Sequence, residues 1–591
     1  MQISRPEYPR PQFVRNQWLN LNGEWDFALD PRNYGLDEKW FKNPILAGKI
    51  QVPFAFQSKL SGVEDKTPSD WCWYHRKFAV PSEMAGKQLH LHFGAVDYQC
   101  WVYVNGELVG THEGGHTPFS FDITPHLHNL PEQSVTLRVY DPLTDETIPR
   151  GKQYWREKPE SIWYTPTTGI WQTVWLEAVD KTHIKNVRFT TDFDSGSVLV
   201  EANIAGAYAG AEFSAAITFS DKLVVWSTVS VTGPCAKITL DLFDERLGFP
   251  KDFDPVWRPE SPNLFDVKLH LTTDNTVLDE VDSYFGMRKI HAENGKIFLN
   301  NRPYYQKLVL DQGYWPDGLL TAPTDDDFKK DILLAKEMGF NGCRKHQKVE
   351  DPRFLYWADK LGFLVWGECA AAQCFCNDAI GRLTKEWIEI IDRDYNHPSI
   401  VTWVPYNESW GVSRANYNVQ EQSHLNAMYY LIKSLDPTRL VVSNDGWEMT
   451  VTDIVSVHNY SHGHEHETAK YAAFKENIAT DEALTTALHC GRNVFAHGYS
   501  HHGQPILLTE FGGVSYKAGE TAGWGYTTAQ SPEHLLSDLE RIWDAIFASK
   551  SLHGYCYTQL TDVEQEINGL LTYDRKPKCD LEKIRELNLL F

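Results

Sequence analysis

The sequence predicts a multidomain chain in which a jelly-roll-like β-sandwich and an immunoglobulin-like β-sandwich precede a C-terminal (β/α)8 TIM barrel. Three observations predict this fold class. Residues 1–181 and 182–286 consist of short, alternating apolar runs. Residues 287–591 instead alternate short apolar runs with helical stretches, which is typical of a parallel sheet. A length of 591 residues suits about two to four domains.

The first two regions carry the signals of antiparallel β-structure. The segment HLHFGAVDYQCWVYVNGELVGTHEGG alternates, and its Asn105-Gly106 pair predicts a two-residue hairpin. Helical periodicity is nearly absent, so we expect a β-sandwich over 1–181. Runs such as SVLVEANIAG and FDVKLHLTT continue the pattern through 182–286. A region of about 100 residues has the size of an immunoglobulin-like sandwich.

The third region contains eight apolar runs separated by helical segments. In TDDDFKKDILLAKEMG, Thr324 is a candidate N-cap, acidic residues fill the first turn, and Gly339 ends the helix. Eight strands in about 300 residues fit a (β/α)8 barrel. A doubly wound open sheet is the alternative, but no G-x-G-x-x-G follows a strand. The predicted strands are YYQKLVL, FNGCRKH, FLVWGE, SIVTWVPYNE, LVVSND, IVSVHNY, PILLTEFGG and GYCYTQL.

Composition excludes some classes of function. A net charge of −23 argues against nucleic-acid binding, which needs a basic surface. The start MQISRPEYPRPQF has no apolar signal region, and no run of about 18 apolar residues predicts a membrane span. The ten cysteines do not form a disulfide scaffold, and Cys374-Phe375-Cys376 is a weak metal signal. We therefore expect a cytoplasmic protein with reduced thiols.

Two glutamates end predicted barrel strands. Glu408 ends strand four and Glu510 ends strand seven, and a barrel has its active site at the C-terminal ends of its strands. Two carboxyl groups in one cavity are the equipment of glycoside hydrolysis, in which one is the nucleophile and the other the proton donor. A separation of about 5 Å predicts retention of configuration. The alternative is that each glutamate is a capped or salt-bridged strand end.

Four longer motifs resemble glycoside hydrolase family 2, the family of β-galactosidases, β-glucuronidases and β-mannosidases. They are NHPSIVTWVPYNES, LLTEFGG, WRPESPNLFDV and NGCRKHQKVEDPRFLYWADKLGFLVWGE. The resemblance covers the whole chain and implies a sugar-binding sandwich, an immunoglobulin-like domain and a catalytic TIM barrel. It also implies a retaining exo-β-glycosidase that needs no cofactor, with Glu408 as acid/base and Glu510 as nucleophile.

The same resemblance implies roles for residues around the glutamates. Asn407 would hydrogen-bond the sugar 2-hydroxyl, and Arg344 would lie beneath Glu510 and keep it ionised. Tyr460 in VHNYS matches a tyrosine that hydrogen-bonds the nucleophile, although a packing tyrosine is the alternative. Glu368 in VWGE would support the floor of the site.

Other candidates for substrate binding come from departures from the family pattern and from aromatic residues. Because Gln347 stands where the family usually has histidine, His346 is proposed to take over that role. Trp163 lies in the loop 147–166, which we expect to reach the pocket from the first domain. Aromatic residues on barrel strands are candidates for a stacking wall or, equally, for core packing, and these are Trp366, Trp403 and Tyr557.

The identity of the sugar depends on a few charged residues. Glu566-Ile567-Asn568 replaces the Asn-x-Lys motif by which β-glucuronidases of the family recognise a carboxylate, and a glutamate there would repel a uronate. A neutral β-D-galactoside is therefore favoured. Lys345 and Lys348 flank strand two and are either solvated or able to bind a carboxylate. They leave an acidic sugar, a β-galacturonide, as an alternative. An α-L-arabinopyranoside, which has the same ring stereochemistry as the galactoside, is another.

The histidines of HNYSHGHEHE have a spacing that invites a metal, but a polar loop is favoured and we expect no metal site. A non-catalytic carbohydrate-binding protein and an endo-acting glycanase are the competing interpretations. The expected partner is a small oligosaccharide or glycoside, with a homo-oligomer possible and neither nucleic acid nor membrane involved. The histidines are His458, His462, His464 and His466.

Overall fold

A computed structural model describes residues 3–243, 254–274, 276–518 and 523–591. Its N-terminal part is a sandwich of two antiparallel sheets, with strand orders β1-β12-β5-β9 and β3-β2-β4-β10-β7-β8. The predicted hairpin is confirmed, because Asn105 and Gly106 both have positive φ between the paired strands β7 and β8. The strands are β1 (Trp18–Asn20), β2 (Gly23–Leu29), β3 (Gly48–Val52), β4 (Trp71–Phe78), β5 (Gln88–Phe93), β6 (Val96–Asp97), β7 (Gln99–Val104), β8 (Glu107–Glu113), β9 (Phe119–Asp122), β10 (Gln133–Tyr140), β11 (Gly169–Ile170) and β12 (Val174–Val179).

The second part is an immunoglobulin-like sandwich. Sheets of order β13-β14-β17 and β16-β15-β20-β21 give the three-plus-four arrangement typical of this fold. Alternate residues such as Val200, Phe213 and Leu269 point into the shared core, which explains the period-two pattern. The strands are β13 (His183–Asp192), β14 (Ser197–Ala205), β15 (Ala211–Phe219), β16 (Lys222–Ser230), β17 (Cys235–Asp241), β18 (Trp257–Arg258), β19 (Ser261–Pro262), β20 (Phe265–Thr273) and β21 (Thr276–Phe285).

The third part is the TIM barrel. All eight predicted apolar runs are strands of one parallel sheet, whose pairings follow the order β29-β28-β27-β26-β25-β34-β31-β30. The small β22–β23 hairpin packs against the interior side chains of these strands, so the cavity opens at their carboxyl ends. The strands are β22 (Ile290–Glu293), β23 (Lys296–Leu299), β24 (Arg302–Pro303), β25 (Gln306–Asp311), β26 (Gly342–Lys345), β27 (Leu364–Glu368), β28 (Ile400–Val404), β29 (Leu440–Val441), β30 (Val455–Asn459), β31 (Ile506–Gly512), β32 (Val514–Tyr516), β33 (Thr527–Ala529) and β34 (Leu552–Thr558).

Helices cover the outside of the barrel. The predicted start of α1 is confirmed, because the Asp327 carboxylate accepts a hydrogen bond from the Thr324 backbone N–H at 2.9 Å. Among the described helices, none is both long and apolar enough to cross a bilayer. The helices are α1 (Asp325–Glu337), α2 (Pro352–Leu361), α3 (Asn377–Asp394), α4 (Val419–Leu435), α5 (Thr468–Ile478), α6 (Asp481–Thr486), α7 (Pro532–Ala548) and α8 (Leu581–Asn588).

A buried ion-pair network joins the two sandwiches. The Arg15 guanidinium lies 2.9 Å from Glu177 of β12 and 2.8 Å from Asp279 of β21. All three side chains are buried, and Arg10 and Tyr8 also donate to Glu177. Because a buried carboxylate without its cation is costly, Arg15 holds the two sandwiches in one relative position.

We expect Arg15→Met to destabilise the protein by about 3 kcal/mol, because it leaves the buried Asp279 without its cation. Scanning calorimetry measures the change as a lower unfolding temperature. The matched control is Lys268→Met, which removes an exposed ion pair with Glu280 that is worth about 0–1 kcal/mol. Equal shifts for the two variants would contradict the structural role of Arg15.

Candidate active site

The two predicted glutamates face each other at the mouth of the barrel. Glu510 lies in β31, and Glu408 lies four residues beyond the end of β28. One carboxylate oxygen of each glutamate and one ring nitrogen of His458 all lie within 4.8 Å of one another. The Glu510 residue is 4% exposed and the Glu408 side chain 15% exposed. Both carboxyl groups therefore reach the same cavity.

The backbone that presents Glu408 is strained. Glu408 and Ser409 both have left-handed φ values, of 53° and 57°, which are uncommon for residues with a side chain. Side chains hold this turn in place, because Asn444 accepts from the Ser409 N–H at 3.0 Å and Glu448 accepts from the Ser409 hydroxyl at 2.8 Å. The turn redirects the chain so that the carboxyl group faces Glu510.

Two donors orient the Glu510 carboxylate. The Tyr460 hydroxyl donates to Oε2 at 2.6 Å, and Arg344 donates to Oε1 at 3.1 Å. Burial and the neighbouring Glu510 charge raise the pKa of Tyr460 well above its ordinary value, so the hydroxyl keeps its proton and remains a donor. The Tyr460 ring stacks on Tyr526 with centroids 3.5 Å apart, which fixes its orientation.

Arg344 connects the groups on the floor of the cavity. Its guanidinium lies 2.7 Å from Glu368 and 2.5 Å from Asp445, and it donates to Asn407 Oδ1 at 2.9 Å. Burial opposes its charge, but Asp445, Glu368 and Glu510 together raise the pKa of Arg344 well above its ordinary value. A permanent cation therefore lies beneath the carboxylates.

His458 lies between the two glutamates. Its Nδ1 is 2.8 Å from Glu408 and 3.5 Å from Glu510, and its Nε2 is 3.2 Å from Asp445. Burial opposes protonation, but the surrounding carboxylates, Glu510 foremost, raise the pKa of His458 to about 10. Burial acts to raise the pKa of Glu408, but the hydrogen bond and charge of His458 lower it overall. The imidazolium and Glu408 therefore form one coupled pair.

The structure also brings His346 and Glu368 to this floor. His346 Nδ1 lies 3.2 Å from Glu368 Oε2 and 3.4 Å from Arg344 Nη2. The Gln347 N–H donates to the same oxygen, Glu368 Oε2, at 2.9 Å. Of the predicted residues, Asn407, Arg344, Tyr460, Glu368 and His346 thus lie in one hydrogen-bonded cluster with the two glutamates.

The two lysines that flank strand two are buried and paired, and this corrects the sequence prediction. Lys348 is 2% exposed, and its ammonium donates to the Gly313 and Leu320 carbonyls and lies 3.0 Å from Glu350. Lys345 is also buried, 2.7 Å from Asp311 and 2.8 Å from Glu350. Both ammonium groups are already paired, so neither the solvated interpretation nor the carboxylate-binding one applies.

The predicted stacking wall is likewise wrong. Tyr557 is fully buried and its ring packs edge-on against Phe511 and beside Trp543. Trp366 donates to Gln306 inside the barrel, and Trp403 donates to Asp436. The core-packing alternative holds for all three aromatics because each lies on a face of its strand that points away from the cavity or below it.

The loop 147–166 reaches the barrel from the first domain, as expected. The Gly151 N–H donates to the Ala371 carbonyl at 3.0 Å, and Gln565 donates to the Trp163 carbonyl at 2.8 Å. The Trp163 ring packs edge-on against Trp410, with centroids 4.8 Å apart. Since Trp410 lies two residues after Glu408, this loop forms a wall of the active-site mouth.

Sequence reasoning missed Asp445, Tyr526 and Lys152. Asp445 ends the predicted fifth strand LVVSND, so the strand-end argument used for the glutamates would have found it. Tyr526 immediately precedes β33, and no local sequence signal marks it as a site residue. Lys152 lies in the loop 147–166 and carries no motif.

The histidine segment does not converge on a metal. His462 hydrogen-bonds the Gly512 carbonyl at 2.8 Å, and His464 stacks on His466. Within the described residues, the one cluster of three groups with metal-ligand character is Glu408, His458 and Glu510. A metal there would have to displace the proton of an imidazole whose pKa is about 10, next to the Arg344 cation, and both features oppose binding.

Comparison with known proteins identifies the family. The profile of the family 2 sugar binding domain matches residues 19–176, the profile named "Glycosyl hydrolases family 2" matches residues 182–288, and the TIM barrel domain profile matches residues 290–590. The chain belongs to glycosyl hydrolase family 2. The resemblance found in the motifs is confirmed, and so are the three predicted folds.

Relatives within family 2 carry different names. A β-galactosidase of Thermoanaerobacter pseudethanolicus is 30% identical over 353 residues, or 57% of this chain. This match spans 44% of the β-galactosidase. The match to a putative β-glucuronidase of Formosa agariphila likewise spans 44% of that relative, so the chain covers less than half the length of each. A β-glucuronidase of Paenibacillus borealis is 23% identical, and that match covers 98% of this chain and 98% of the relative.

Solved structures support the fold. The β-glucuronidase from Ruminococcus gnavus in complex with D-glucuronic acid has a TM-score of 0.79 and 20% identity, and the match covers 99% of this chain and 100% of that chain. A β-glucuronidase from an uncultured Clostridium gives the same TM-score at 21% identity. Likeness at this identity concerns the architecture, and the substrate has to be argued from the site.

Proposed function

We propose that this family 2 protein is a retaining exo-β-glycosidase that hydrolyses terminal non-reducing β-glycosides by double displacement. The observation that carries the proposal is the close approach of Glu408 and Glu510, whose carboxylate oxygens lie within 4.8 Å. Retaining enzymes place their two carboxyl groups about 5–5.5 Å apart, whereas inverting enzymes need a wider gap for water.

In the first step, a Glu510 oxygen attacks the anomeric carbon while the bond from that carbon to the leaving oxygen breaks. Tyr460 and Arg344 hold the attacking carboxylate in position. Glu408 delivers a proton to the leaving oxygen, and a glycosyl ester of Glu510 results. In the second step, Glu408 takes a proton from water, whose oxygen attacks the anomeric carbon and releases the sugar with its original configuration.

The proton for the first step is shared by Glu408 and His458. The low pKa of Glu408 alone would leave it ionised, but the imidazolium 2.8 Å away holds one proton up to a pH of about 10. Transfer of that proton from Nδ1 to the carboxylate recharges the acid. The pair as a unit therefore remains a proton donor at neutral pH.

Asn407 is placed to bind the sugar. Its Oδ1 accepts from Arg344 at 2.9 Å, and its amide nitrogen has no hydrogen-bond partner among the described residues. The amide hydrogens are therefore free to donate to the hydroxyl next to the anomeric carbon. Hydrogen bonds at that hydroxyl strengthen in the transition state of glycoside hydrolysis.

The structure weakens the argument that favoured a neutral sugar. That argument required Glu566 to face the substrate and repel a uronate. Instead, Glu566 Oε2 accepts from the Tyr164 hydroxyl at 2.5 Å and Oε1 accepts from Asn568 at 3.1 Å, and the residue is buried. β-D-Galactosides thus remain candidates, with β-D-hexuronides and α-L-arabinopyranosides beside them. The homo-oligomer and the cytoplasmic location stay predictions of the sequence.

We expect the protein to release 4-nitrophenol from at least one member of a panel of aryl β-D-galactoside, β-D-galacturonide, β-D-glucuronide and α-L-arabinopyranoside. The reason is that the Glu408 and Glu510 carboxyl groups approach as closely as retaining hydrolysis requires. Absorbance at 400 nm (about pH 8) measures the release. A failure on every glycoside would favour a binding protein, and internal cleavage of polymers with little aryl activity would favour an endo-acting glycanase.

We expect Glu510→Ala to lower turnover by at least about 1,000-fold and azide to restore it as an α-glycosyl azide. Azide attacks the β-glycoside directly when the nucleophile is missing, so configuration inverts. With Glu408→Ala and an aryl substrate, azide instead attacks the glycosyl ester and gives the β-azide. NMR of the products distinguishes the two, and an α-azide from Glu408→Ala would reverse the assigned roles.

We expect His458→Asn to move the alkaline limb of the kcat/KM profile to lower pH. In the parent protein this limb reports the proton shared by Glu408 and His458 and lies near pH 10, because the His458 pKa is raised and its proton is lost only as pH rises through that value. The variant depends on Glu408 alone. Rates between pH 5 and 10, measured on the best panel substrate, test this.

The control for the histidine substitution is His466→Asn, which changes an exposed residue and should keep the parent profile. Circular dichroism at each pH checks that the variants remain folded. A limb that moves to higher pH in His458→Asn would mean that the imidazolium depresses the pKa of Glu408 without supplying a proton.

A further inference from the structure

One cation at the active-site mouth has no anionic partner. Lys152 is 5% exposed, and its ammonium forms no hydrogen bond or ion pair with any described residue. Its Nζ lies 5.5 Å from the ring centroids of both Trp163 and Tyr164. Aromatic faces orient an ammonium weakly but do not neutralise its charge.

Other buried lysines of the described chain are all paired. Lys345 contacts Asp311 and Glu350, Lys348 contacts Glu350, and Lys578 lies 2.6 Å from Asp562. This pairing is the general rule, because a buried charge without a counter-charge is costly. Lys152 is the exception: the residue is buried, but no described carboxylate pairs with its ammonium, which can therefore accept an anion.

The position of Lys152 is set by the backbone. The N–H of Tyr164 donates to the Lys152 carbonyl at 2.9 Å, and the preceding Gly151 is hydrogen-bonded to Ala371 of the barrel. Gly151 has a φ of 58°, and a Cβ there would lie 2.2 Å from the Gln347 carbonyl oxygen. Only glycine allows this close contact, so the loop is pressed against the barrel and the lysine has little freedom to move away.

The loop that carries Lys152 packs beside the two glutamates. Although burial opposes it, the pKa of Glu408 is lowered chiefly by His458, and the charges of His346 and Lys152 contribute. The ammonium lies 5.5 Å from the centre of the Trp163 ring, and that ring packs against Trp410, two residues after Glu408. A substrate that fills the cavity would lie within reach of the free ammonium.

We propose that Lys152 binds a carboxylate of the substrate, so that the preferred substrates are acidic β-glycosides. This inference rests on the proposed glycosidase function and names the substrate class of the same site. The carboxylate has two possible sources. One is C6 of a hexuronide in the glycosyl position, and the other is an acidic leaving group, which the proton donor Glu408 adjoins.

The test compares acidic and neutral substrates that are otherwise matched. One pair is 4-nitrophenyl β-D-galacturonide and 4-nitrophenyl β-D-galactoside. The same comparison is made with the C4 epimers, the β-D-glucuronide and the β-D-glucoside. The second pair is 3-carboxyumbelliferyl against 4-methylumbelliferyl β-D-galactoside. Each kcat/KM ratio, acidic over neutral, removes any effect of a variant on the pKa of Glu408, because both members of a pair need the same proton.

We expect Lys152→Met to lower the acidic-to-neutral ratio by about 100-fold, mainly through a higher KM, and Lys152→Arg to recover it to within about tenfold. A loss confined to the hexuronide pair identifies the sugar carboxylate, and a loss confined to the umbelliferyl pair identifies the leaving group. The control Lys158→Met, which changes an exposed lysine of the same loop, should leave both ratios unchanged.

Calorimetry gives a second readout that needs no turnover. We expect D-galacturonate or D-glucuronate to bind the parent protein more tightly than D-galactose, and Lys152→Met to remove the difference. If no glycoside is hydrolysed but this binding is seen, the proposed reaction fails and the role of Lys152 stands. Ratios and affinities that are the same in the parent and in Lys152→Met, or a parent that prefers the neutral members, would overturn the inference.

Discussion

The arrangement of the active site depends on one buried guanidinium. Arg344 lies one residue before the end of strand β26. It contacts Glu368 at the end of β27, Asn407 beyond β28, and Glu510 in β31. It therefore ties together the carboxyl ends of strands on opposite sides of the barrel. The cavity gathers several carboxylates in a place where each is costly to desolvate, and Arg344 and His458 are the cations that make this possible. The contacts by which Arg344 and His458 position the carboxylates are therefore also the contacts that compensate their buried negative charge.

The local pattern of apolar and polar residues was sufficient to predict the barrel strands and the residues at their ends. Each barrel strand is a short apolar run, so all eight could be counted from the sequence. Because a barrel directs the ends of its parallel strands to one mouth, Glu408 and Glu510 could be expected to meet there although they are far apart in the chain. The position of Arg344 beneath them came from the family resemblance. Asp445 was predictable by the same rule and was overlooked. The family motifs added the roles of Tyr460 and Asn407, which no periodicity contains.

What could not be predicted depends on partners that are distant in sequence. Lys348 looked free at the mouth, but Gly313 and Leu320 carbonyls enclose it. Glu566 looked repulsive to a uronate, but the hydroxyl of Tyr164, 402 positions away, occupies it. In both cases the charge of the side chain was predicted correctly from the sequence, but not the residues that contact it in the folded protein. Lys152 is the reverse case. Its ammonium has no hydrogen-bond or ion-pair partner among the described residues, and only the tertiary contacts can reveal this.

The division of labour between domains follows from how strongly the groups are coupled. Glu408, His458, Asp445 and Arg344 share hydrogen bonds, so a change in one alters the charge state of the others. A residue that selects among sugars is better placed outside such a network. Lys152 meets this condition, because it belongs to another domain and has no counter-ion that its replacement would strand. Under the role we propose for Lys152, the barrel keeps one reaction while the loop of the first sandwich selects the glycoside.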